Sequence, residues 1–248
     1  MLTIHTTTTP QEDATSALNA TLKEAHGKDI LLLLSGGSAL ALLDGIDTSL
    51  LGPHVTISVL DERWTYTEAD SNFEQLSNIS FYTTALASGA QTIDPRPQKP
   101  ESLVDTAKRF DLALKHWHIT HREGVVIATM GIGEDGHTAG ILPFPEDPET
   151  FESLFTHTTT CVRGYSVPKE KNPHTKRMTV TITYLKRHVD HAVVFAVGEN
   201  KRAALGRLQR KEGELAVTPA RVLREMKGGQ VIHRWRTVSA DPLTHQTR

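Results

Sequence analysis

The chain has 248 residues, with 27 lysine and arginine residues against 29 aspartate and glutamate residues, which gives a formal net charge of −2. This balance argues against a nucleic-acid-binding or membrane-surface protein, because both depend on a concentrated excess of basic charge. Hydrophobic residues make up 38% of the chain and charged residues 23%, as in folded globular proteins rather than disordered ones. We therefore expect a single domain over residues 1–248, with a mobile tail from Ser239 to Arg248 that lacks hydrophobic periodicity.

The N-terminal sequence and the cysteine content favour a cytoplasmic location. Residues 1–14 contain no basic segment followed by an apolar one, and no apolar run approaches the roughly 20 residues that span a bilayer. Cys161 is the only cysteine, which excludes an intramolecular disulfide and a cysteine-rich zinc site. No thiolate-activating motif surrounds Cys161, so we do not expect it to be a nucleophile.

In chain order, the hydrophobic pattern predicts two long helices and four buried strands. Apolar residues at three- and four-residue spacing predict helices at Gln11–Ala25 and Ser102–His116. Continuous apolar runs, each followed by a polar or glycine-rich turn, predict strands covered on both faces of a parallel sheet: Ile30–Leu34, Val55–Leu60, Val125–Met130 and Ala192–Val197.

Helical segments are expected after three of these strands, at Ala39–Leu43, Thr138–Leu142 and Ala203–Lys211. Met178–Thr183 alternates between apolar and polar residues, which predicts a strand at a sheet edge or in a one-sided sheet. The repeated order of strand, loop and helix predicts an α/β fold with a mostly parallel sheet.

Ligands of such sheets bind beyond the carboxyl ends of the strands, so the loops at those ends are the candidate functional segments. Ser35-Gly36-Gly37-Ser38 follows a predicted strand and opens a helical segment, where backbone N–H groups could bind an anion. A tight turn in which Ser38 only caps the helix is equally compatible with this sequence. The loop lacks the lysine of a P-loop, so nucleoside triphosphate binding is not indicated.

Gly131–Gly136 matches the G-x-G-x-x-G pattern of dinucleotide-binding loops and follows a predicted strand. Two acidic side chains, Glu134 and Asp135, lie where a pyrophosphate would approach, and no second strand follows to carry a ribose-binding acid. The match is therefore interpreted as coincidental, and neither a nicotinamide nor a flavin cofactor is expected.

The same loop contains Asp135-Gly136-His137, a carboxylate and an imidazole two residues apart at an expected helix start. A histidine there can accept a proton from water, and the carboxylate can orient its ring. An expected helix N-terminus would favour the neutral ring. The alternative is that Asp135 caps the helix and His137 is an ordinary polar residue of its first turn.

Other strand ends supply charged groups. Arg63, in Asp61-Glu62-Arg63, could bind a phosphate or a carboxylate, although an exposed charge cluster is the alternative. Lys201 lies at a third strand-to-helix turn and could contribute a point charge to a phosphate, or could be solvated. His116, His118 and His121 lie close in sequence, but their spacing is not that of a common zinc site, so a solvated helix end is expected.

Four segments in one order resemble the 6-phosphogluconolactonase family, which is related to the glucosamine-6-phosphate deaminases. They read LLLLSGGSALALL, LDERWTYTEADSNFEQL, MGIGEDGHTAGILP and VVFAVGENKRAAL. A weaker match is NPHTKRMTVTITYLKR. The GEDGHTAG and DER…SN segments are specific signals, whereas SGGS alone is not.

The resemblance implies a three-layer αβα sandwich with a mostly parallel, Rossmann-like sheet, and neither a metal nor an organic cofactor. It implies hydrolysis of 6-phospho-D-glucono-1,5-lactone to 6-phospho-D-gluconate in the oxidative pentose phosphate pathway. His137 would be the general base and Asp135 would orient it. The residues implied to bind the substrate are Gly36, Gly37, Ser38, Asp61, Arg63, Asn72, Arg177 and Lys201.

The sequence departs from the family pattern in two places. Trp64-Thr65-Tyr66 replaces the usual Val-Pro pair after the DER segment, and Gly140-Ile141-Leu142-Pro143 replaces S-L-F-P. The deaminases carry a glutamate shortly after the D-G-H segment, where this chain is apolar, which argues against ring opening and amine loss. A sugar-phosphate isomerase or deaminase, or a non-catalytic sugar-phosphate-binding protein, remains the alternative. Both a monomer and a homodimer are compatible with the sequence.

Overall fold

The computed structural model describes residues 2–233, and its largest element is a seven-stranded sheet. The strands are β1 (Leu2–Thr6), β2 (Ile30–Leu34), β3 (Val55–Val59), β5 (Gln91–Thr92), β6 (Val125–Gly131), β9 (His191–Ala196) and β10 (Gly229–His233). Their order across the sheet is β1-β10-β9-β6-β2-β3-β5. Every neighbouring pair of strands in this sheet is parallel.

The central strands are buried on both faces, as their continuous apolar sequences require. In β2, Leu31 and Leu33 face one hydrophobic core, and Ile30, Leu32 and Leu34 face another. All five side chains are fully buried, since successive residues of a strand point to opposite faces. The sheet is therefore the middle layer of a three-layer αβα sandwich, which confirms the expected fold class.

Helices cover both faces of the sheet. One face is covered by α1 (Pro10–Glu24), the 3-10 helix Gly37–Gly45, α2 (Asn72–Ser77) and α3 (Ser80–Ala87). The other is covered by α4 (Leu103–Thr120), α5 (Pro148–Phe151), the π-helical turn Glu152–Thr156, α6 (Ile182–His188) and α7 (Arg202–Gln209). Further 3-10 turns are Thr48–Leu50, Glu68–Asp70, Glu199–Lys201 and Pro219–Arg224.

The two long helices confirm their predictions, and their ends have local causes. Pro10 occupies the first turn of α1, where a missing N–H is harmless. Ser102 and Asp105 form a reciprocal capping box at the start of α4, with both backbone N–H bonds at 3.2 Å. The helix α4 extends to Thr120, four residues beyond the predicted end.

A second, antiparallel sheet lies beside the main one, in the order β4 (Asp61–Arg63), β8 (Lys176–Val180) and β7 (Val162–Ser166). The predicted strand Met178–Thr183 overlaps β8 only at Met178–Val180, because β8 starts two residues earlier and ends three residues earlier. It is also the central strand of this sheet and not an edge strand. The Thr181 hydroxyl accepts a hydrogen bond from the Tyr184 N–H at 3.1 Å, and this cap starts α6 at Ile182.

The predicted helix at Thr138–Leu142 is wrong. The Thr138 hydroxyl donates to the Gly131 carbonyl at 2.7 Å, and Thr138 forms an isolated bridge with Ile141. Between them Ala139 and Gly140 have positive φ angles of 48° and 71°, which a right-handed helix does not allow. Of the other short segments, Ala203–Lys211 is confirmed by α7, and Ala39–Leu43 lies in a 3-10 helix rather than an α-helix.

Three expectations stay predictions. The tail from Ser239 to Arg248 falls outside the described residues 2–233, and neither the single-domain organisation over residues 1–248 nor the cytoplasmic location follows from the fold. Among the helices of residues 2–233, none combines the length and apolarity needed to cross a bilayer.

The expected solvated helix end is correct for His116 but wrong for His118, which packs against α6. His118 Nε2 is 3.1 Å from the Tyr184 hydroxyl, and its ring centroid is 4.4 Å from that of His188. His121 stacks on Trp117 at 4.9 Å, and His116 is exposed. Within residues 2–233, no group of three or more His, Cys, Asp and Glu side chains is arranged to hold a metal ion.

His118 predicts an acid-sensitive contribution to folding. Burial, followed by the charge of His188, lowers the pKa of His118 from 6.5 to about 4. A base with a lowered pKa resists protonation in the folded state, so its contribution is complete above pH 6.5 and is lost as the pH falls towards 4. Allowing for partial solvent exposure, we expect a loss of about 1–2 kcal/mol in the free energy of unfolding.

Urea unfolding of the wild type and of His118→Gln across this pH range measures that contribution. Glutamine can still hydrogen-bond the Tyr184 hydroxyl but cannot be protonated, so the variant should lose less stability on acidification. If the free energy of unfolding depends on pH in the same way in both proteins, the acid-sensitive contribution does not come from His118, and His188 or Asp190 would be its source.

Candidate functional site

The carboxyl ends of β2, β6 and β9 meet the small antiparallel sheet at a cavity of about 210 Å³. Nine of the ten predicted site residues line it, and the tenth, Asp135, contacts one of them, His137. The lining residues are Ser35, Gly36, Gly37, Ser38, Asp61, Arg63, Asn72, Gly131, Ile132, Gly133, His137, Ala139, Gly140, Arg177, Phe195, Val197 and Lys201.

The SGGS loop presents backbone to this cavity. Ser35 N–H donates to the Thr129 hydroxyl at 3.1 Å, which fixes the loop to β6. A 3-10 helix starts at Gly37, and the first N–H groups of such a helix have no acceptor within it. The N–H groups of Gly37 and Ser38 are therefore available to an anion in the cavity.

Asp61 and Arg63 reach the cavity because they are two residues apart in β4 and share one face of the strand. The Asp61 carboxylate accepts a hydrogen bond from Arg177 at 2.6 Å, and both side chains are almost fully buried. Burial opposes the charge of Arg177, but Asp61 outweighs it and raises the pKa of the guanidinium. Arg177 is therefore held protonated at the cavity wall by the charge of Asp61, in an ion pair without net charge.

Glu62, which points away from the cavity, was not predicted as a site residue. Its carboxylate is fully buried and accepts the N–H groups of Arg63, Asn72 and Phe73 at 2.7–2.8 Å and the Ser71 hydroxyl at 2.9 Å. Burial raises the pKa of Glu62, and these four hydrogen bonds oppose that rise. The side chain joins β4 to the start of α2. Side chains alternate between the two faces of a strand, so the sequence already places Glu62 on the opposite face of β4 from Asp61 and Arg63.

Asn72, at the start of α2, closes one wall of the cavity. Its amide nitrogen donates to the Asp61 carbonyl at 2.9 Å, and a methyl group at Gly36 would overlap its side chain. Within residues 2–233, three buried polar atoms among the cavity-lining side chains have no hydrogen-bond partner: Arg63 Nε, Asn72 Oδ1 and Arg177 Nε. Buried polar atoms without partners are costly, and all three belong to side chains of the cavity wall.

His137 and Asp135 form a directed pair. The Asp135 carboxylate lies 2.7 Å from His137 Nδ1 and accepts the His137 backbone N–H at 3.0 Å. Desolvation raises the pKa of Asp135, but the hydrogen bonds and charge of His137 outweigh it, and the pKa lies below its ordinary value. Within residues 2–233, His137 Nε2 has no hydrogen-bond partner, and the side chain lines the cavity.

The pair lies in a loop and not at a helix start, which corrects the expected helix N-terminus. Arg207 donates to the Glu134 carbonyl at 3.1 Å, and Asn200 donates to the Glu134 carboxylate at 2.5 Å. These contacts tie the loop to α7 and to the turn that carries Lys201. Neither Asn200 nor Arg207 was predicted, because no local pattern links them to Glu134. Lys201 itself forms no ion pair within the described residues.

Cys161 has no catalytic surroundings. It lies in the hydrophobic core that contains α4, and burial raises the pKa of its thiol to about 11. The thiol therefore stays protonated at neutral pH.

The family model for glucosamine-6-phosphate isomerases/6-phosphogluconolactonase matches residues 6–233, and the chain belongs to this family. The chain is 29% identical to a 6-phosphogluconolactonase of Helicobacter pylori over 212 residues. This match covers 84% of each of the two chains. A 6-phosphogluconolactonase of Pseudomonas putida is 29% identical over 166 residues, or 65% of this chain and 64% of that one.

Solved structures show the same fold at lower identity. A 6-phosphogluconolactonase from Plasmodium vivax superposes with a TM-score of 0.72 at 14% identity, covering 95% of this chain and 91% of that one. A 6-phosphogluconolactonase from Thermotoga maritima superposes with a TM-score of 0.69 at 16% identity. This match covers 95% of this chain and 99% of that one. At these identities the superpositions establish the fold.

From the four hydrogen bonds of Glu62 we predict that Glu62→Gln destabilises the fold. In Glu62→Gln, an amide NH2 group replaces an acceptor that faces N–H donors, so at least one buried donor loses its partner. We expect a loss of about 2 kcal/mol in the free energy of unfolding. The exposed Glu68→Gln is the control and should change it by less than about 0.5 kcal/mol. Urea unfolding measures both, and equal losses would contradict this role of Glu62.

Proposed function

We propose that this protein hydrolyses 6-phospho-D-glucono-1,5-lactone to 6-phospho-D-gluconate, as a hydrolase of the oxidative pentose phosphate pathway. The observation that carries the proposal is the His137–Asp135 pair at the wall of a cationic cavity. A carboxylate holds Nδ1, and Nε2 has no hydrogen-bond partner among residues 2–233. The family to which the chain belongs and the names of its relatives support the same activity.

The phosphate of the substrate requires a site of positive potential. The N–H groups of Gly37 and Ser38 and the ammonium of Lys201 face one cavity, and they are assigned to the phosphate. Arg63 lines the same cavity and binds either the phosphate or the lactone oxygens. Because the phosphate is distant from the reacting carbonyl, its binding energy serves to orient the lactone.

The reaction needs one general base. His137 Nε2 accepts a proton from a water molecule, whose oxygen attacks the carbonyl carbon C1 of the lactone. The tetrahedral oxyanion then collapses, the bond between C1 and the ring oxygen breaks, and His137 returns the proton to that ring oxygen. Asp135 holds Nδ1–H and stabilises the imidazolium between the two steps.

The developing oxyanion needs donors that are already in place. Arg177 lines the cavity and is fixed by Asp61, and its buried Nε has no hydrogen-bond partner in the described part of the chain. Asn72 is fixed by the Asp61 carbonyl. Such preorganised groups stabilise charge without reorganisation during the reaction. A lactone is an activated ester, so this base and these donors suffice without a serine nucleophile.

Ring opening with loss of an amine would need another acid–base group after the D-G-H segment. Ile141 and Leu142 occupy that position, and both are buried in the hydrophobic core. No carboxylate can act from there. The lactonase is therefore favoured over the isomerase and deaminase activities on the same fold.

Proton release on adding freshly made 6-phosphogluconolactone tests the proposal, because the acid formed loses its proton at neutral pH. After subtraction of spontaneous hydrolysis, the wild type should accelerate the reaction. We expect His137→Ala to lower kcat by about 10²–10⁴-fold with an unchanged fold, because only the general base is lost. Unchanged turnover in the folded variant would remove His137 from the base role. Ammonia release from glucosamine 6-phosphate instead would favour the deaminase.

Lys201→Ala tests the assignment to the phosphate. Loss of this ammonium should raise KM for the phosphorylated lactone by about tenfold or more and leave kcat less affected, as expected for a phosphate contact distant from the reacting carbon. Lys211→Ala, an exposed lysine outside the cavity, is the matched control. If Lys201→Ala discriminates between phosphorylated and dephosphorylated lactone as the wild type does, the assignment is wrong.

A further inference from the structure

Gly133 lies directly against the ring of His137. A methyl group at Gly133 would overlap His137 Nδ1 and Cε1, and it would lie 2.7 Å from the Asp135 carboxylate oxygen. Real side-chain carbons do not approach other heavy atoms so closely. The imidazole therefore occupies the space that any other residue at position 133 would fill.

The backbone of Gly133 does not itself require glycine. Its φ angle is not among the positive ones of residues 2–233, so an L-residue can adopt this conformation. Its N–H donates to the His137 carbonyl at 2.8 Å, and its carbonyl accepts the Gly136 N–H at 3.0 Å. Alanine can keep both hydrogen bonds. The three atoms nearest to such a methyl group all belong to the His137–Asp135 pair.

The ring, and not the fold, would yield to such a side chain. His137 is partly exposed, with 38% of its side-chain surface accessible, so the imidazole can rotate away from the cavity wall. In doing so it would lose the 2.7 Å contact between Nδ1 and Asp135.

We infer that Gly133 is a positioning residue for His137: its lack of a side chain lets the imidazole lie with Nδ1 on Asp135 and Nε2 towards the cavity. This inference rests on the proposed function for its kinetic consequence only. It also gives the second glycine of the G-x-G-x-x-G pattern a role unrelated to dinucleotides, since the space it leaves holds a protein side chain.

Gly136, in the same loop, is required for a different reason. Its φ angle is +94°, a conformation that L-residues rarely adopt, and a methyl group there would lie 2.9 Å from Thr218 Cγ2. Alanine at position 136 strains the backbone, whereas alanine at position 133 displaces a side chain. The two substitutions therefore form a matched pair with different expected outcomes.

Kinetics and thermal unfolding of Gly133→Ala, Gly136→Ala and Gly206→Ala separate these effects. Gly133→Ala should lower kcat by about 10²-fold, change KM by less than about twofold, and keep Tm within about 2 °C of the wild type. Gly136→Ala should lower Tm by several degrees. A methyl group at Gly206, in α7, would meet no atom of residues 2–233 within 4 Å outside its own helix backbone, so Gly206→Ala should keep kcat and should not lower Tm.

Nitrogen NMR of the imidazole gives a readout that does not depend on turnover. In the neutral ring of the wild type, Asp135 should select the Nδ1–H tautomer, which is not the form that a solvated histidine prefers. The His137 signals, assigned by their loss in His137→Ala, should shift towards the Nε2–H tautomer in Gly133→Ala.

A wild-type tautomer in Gly133→Ala, or a fall in Tm as large as in Gly136→Ala, would overturn the inference. If the wild type hydrolyses the lactone, an unchanged kcat in Gly133→Ala would also overturn the inference. If the wild type does not hydrolyse the lactone, the proposed function fails, and the tautomer of His137 alone decides whether Gly133 positions the ring.

Discussion

The arrangement of the site depends most directly on the buried carboxylate of Glu62. Four donors converge on it from Arg63 and from the first residues of α2. Because side chains alternate along β4, fixing Glu62 on one face of the strand fixes Asp61 and Arg63 on the other. The same bonds fix Asn72 opposite Gly36. One fully buried charge thus determines the relative positions of three groups that line the cavity.

The loop with His137 is held in place without a helix of its own. The Thr179 hydroxyl donates to the Ala139 carbonyl, and the Tyr165 hydroxyl donates to the Gly140 carbonyl at 2.5 Å. Both donors belong to the small antiparallel sheet, which also supplies Arg177 to the cavity wall. That sheet therefore supports the loop that carries His137 and supplies Arg177 to the cavity wall, whereas the parallel sheet supplies the loops themselves.

The sequence predicted the fold where a pattern admits one structure. The apolar runs at Ile30–Leu34 and Val125–Met130 are typical of strands buried on both faces, and the structure agrees within one residue. The strands β1 and β5 were not predicted, because they are short, lie at the sheet edges and carry exposed side chains. Thr138–Leu142 has apolar residues at helical spacing, but Thr138 and Ile141 instead anchor a loop with positive φ angles.

The sequence by itself determined that charged and glycine-rich loops follow the parallel strands, and that His137 lies near Asp135, because two residues in one loop cannot lie far apart. Only the tertiary structure decided that Asp61 pairs with Arg177, 116 residues later in the chain. Likewise, Asn200 and Arg207 fix Glu134 through contacts more than 60 residues apart in sequence. Such contacts arise from the packing of whole strands and helices, so no local spacing of residues encodes them.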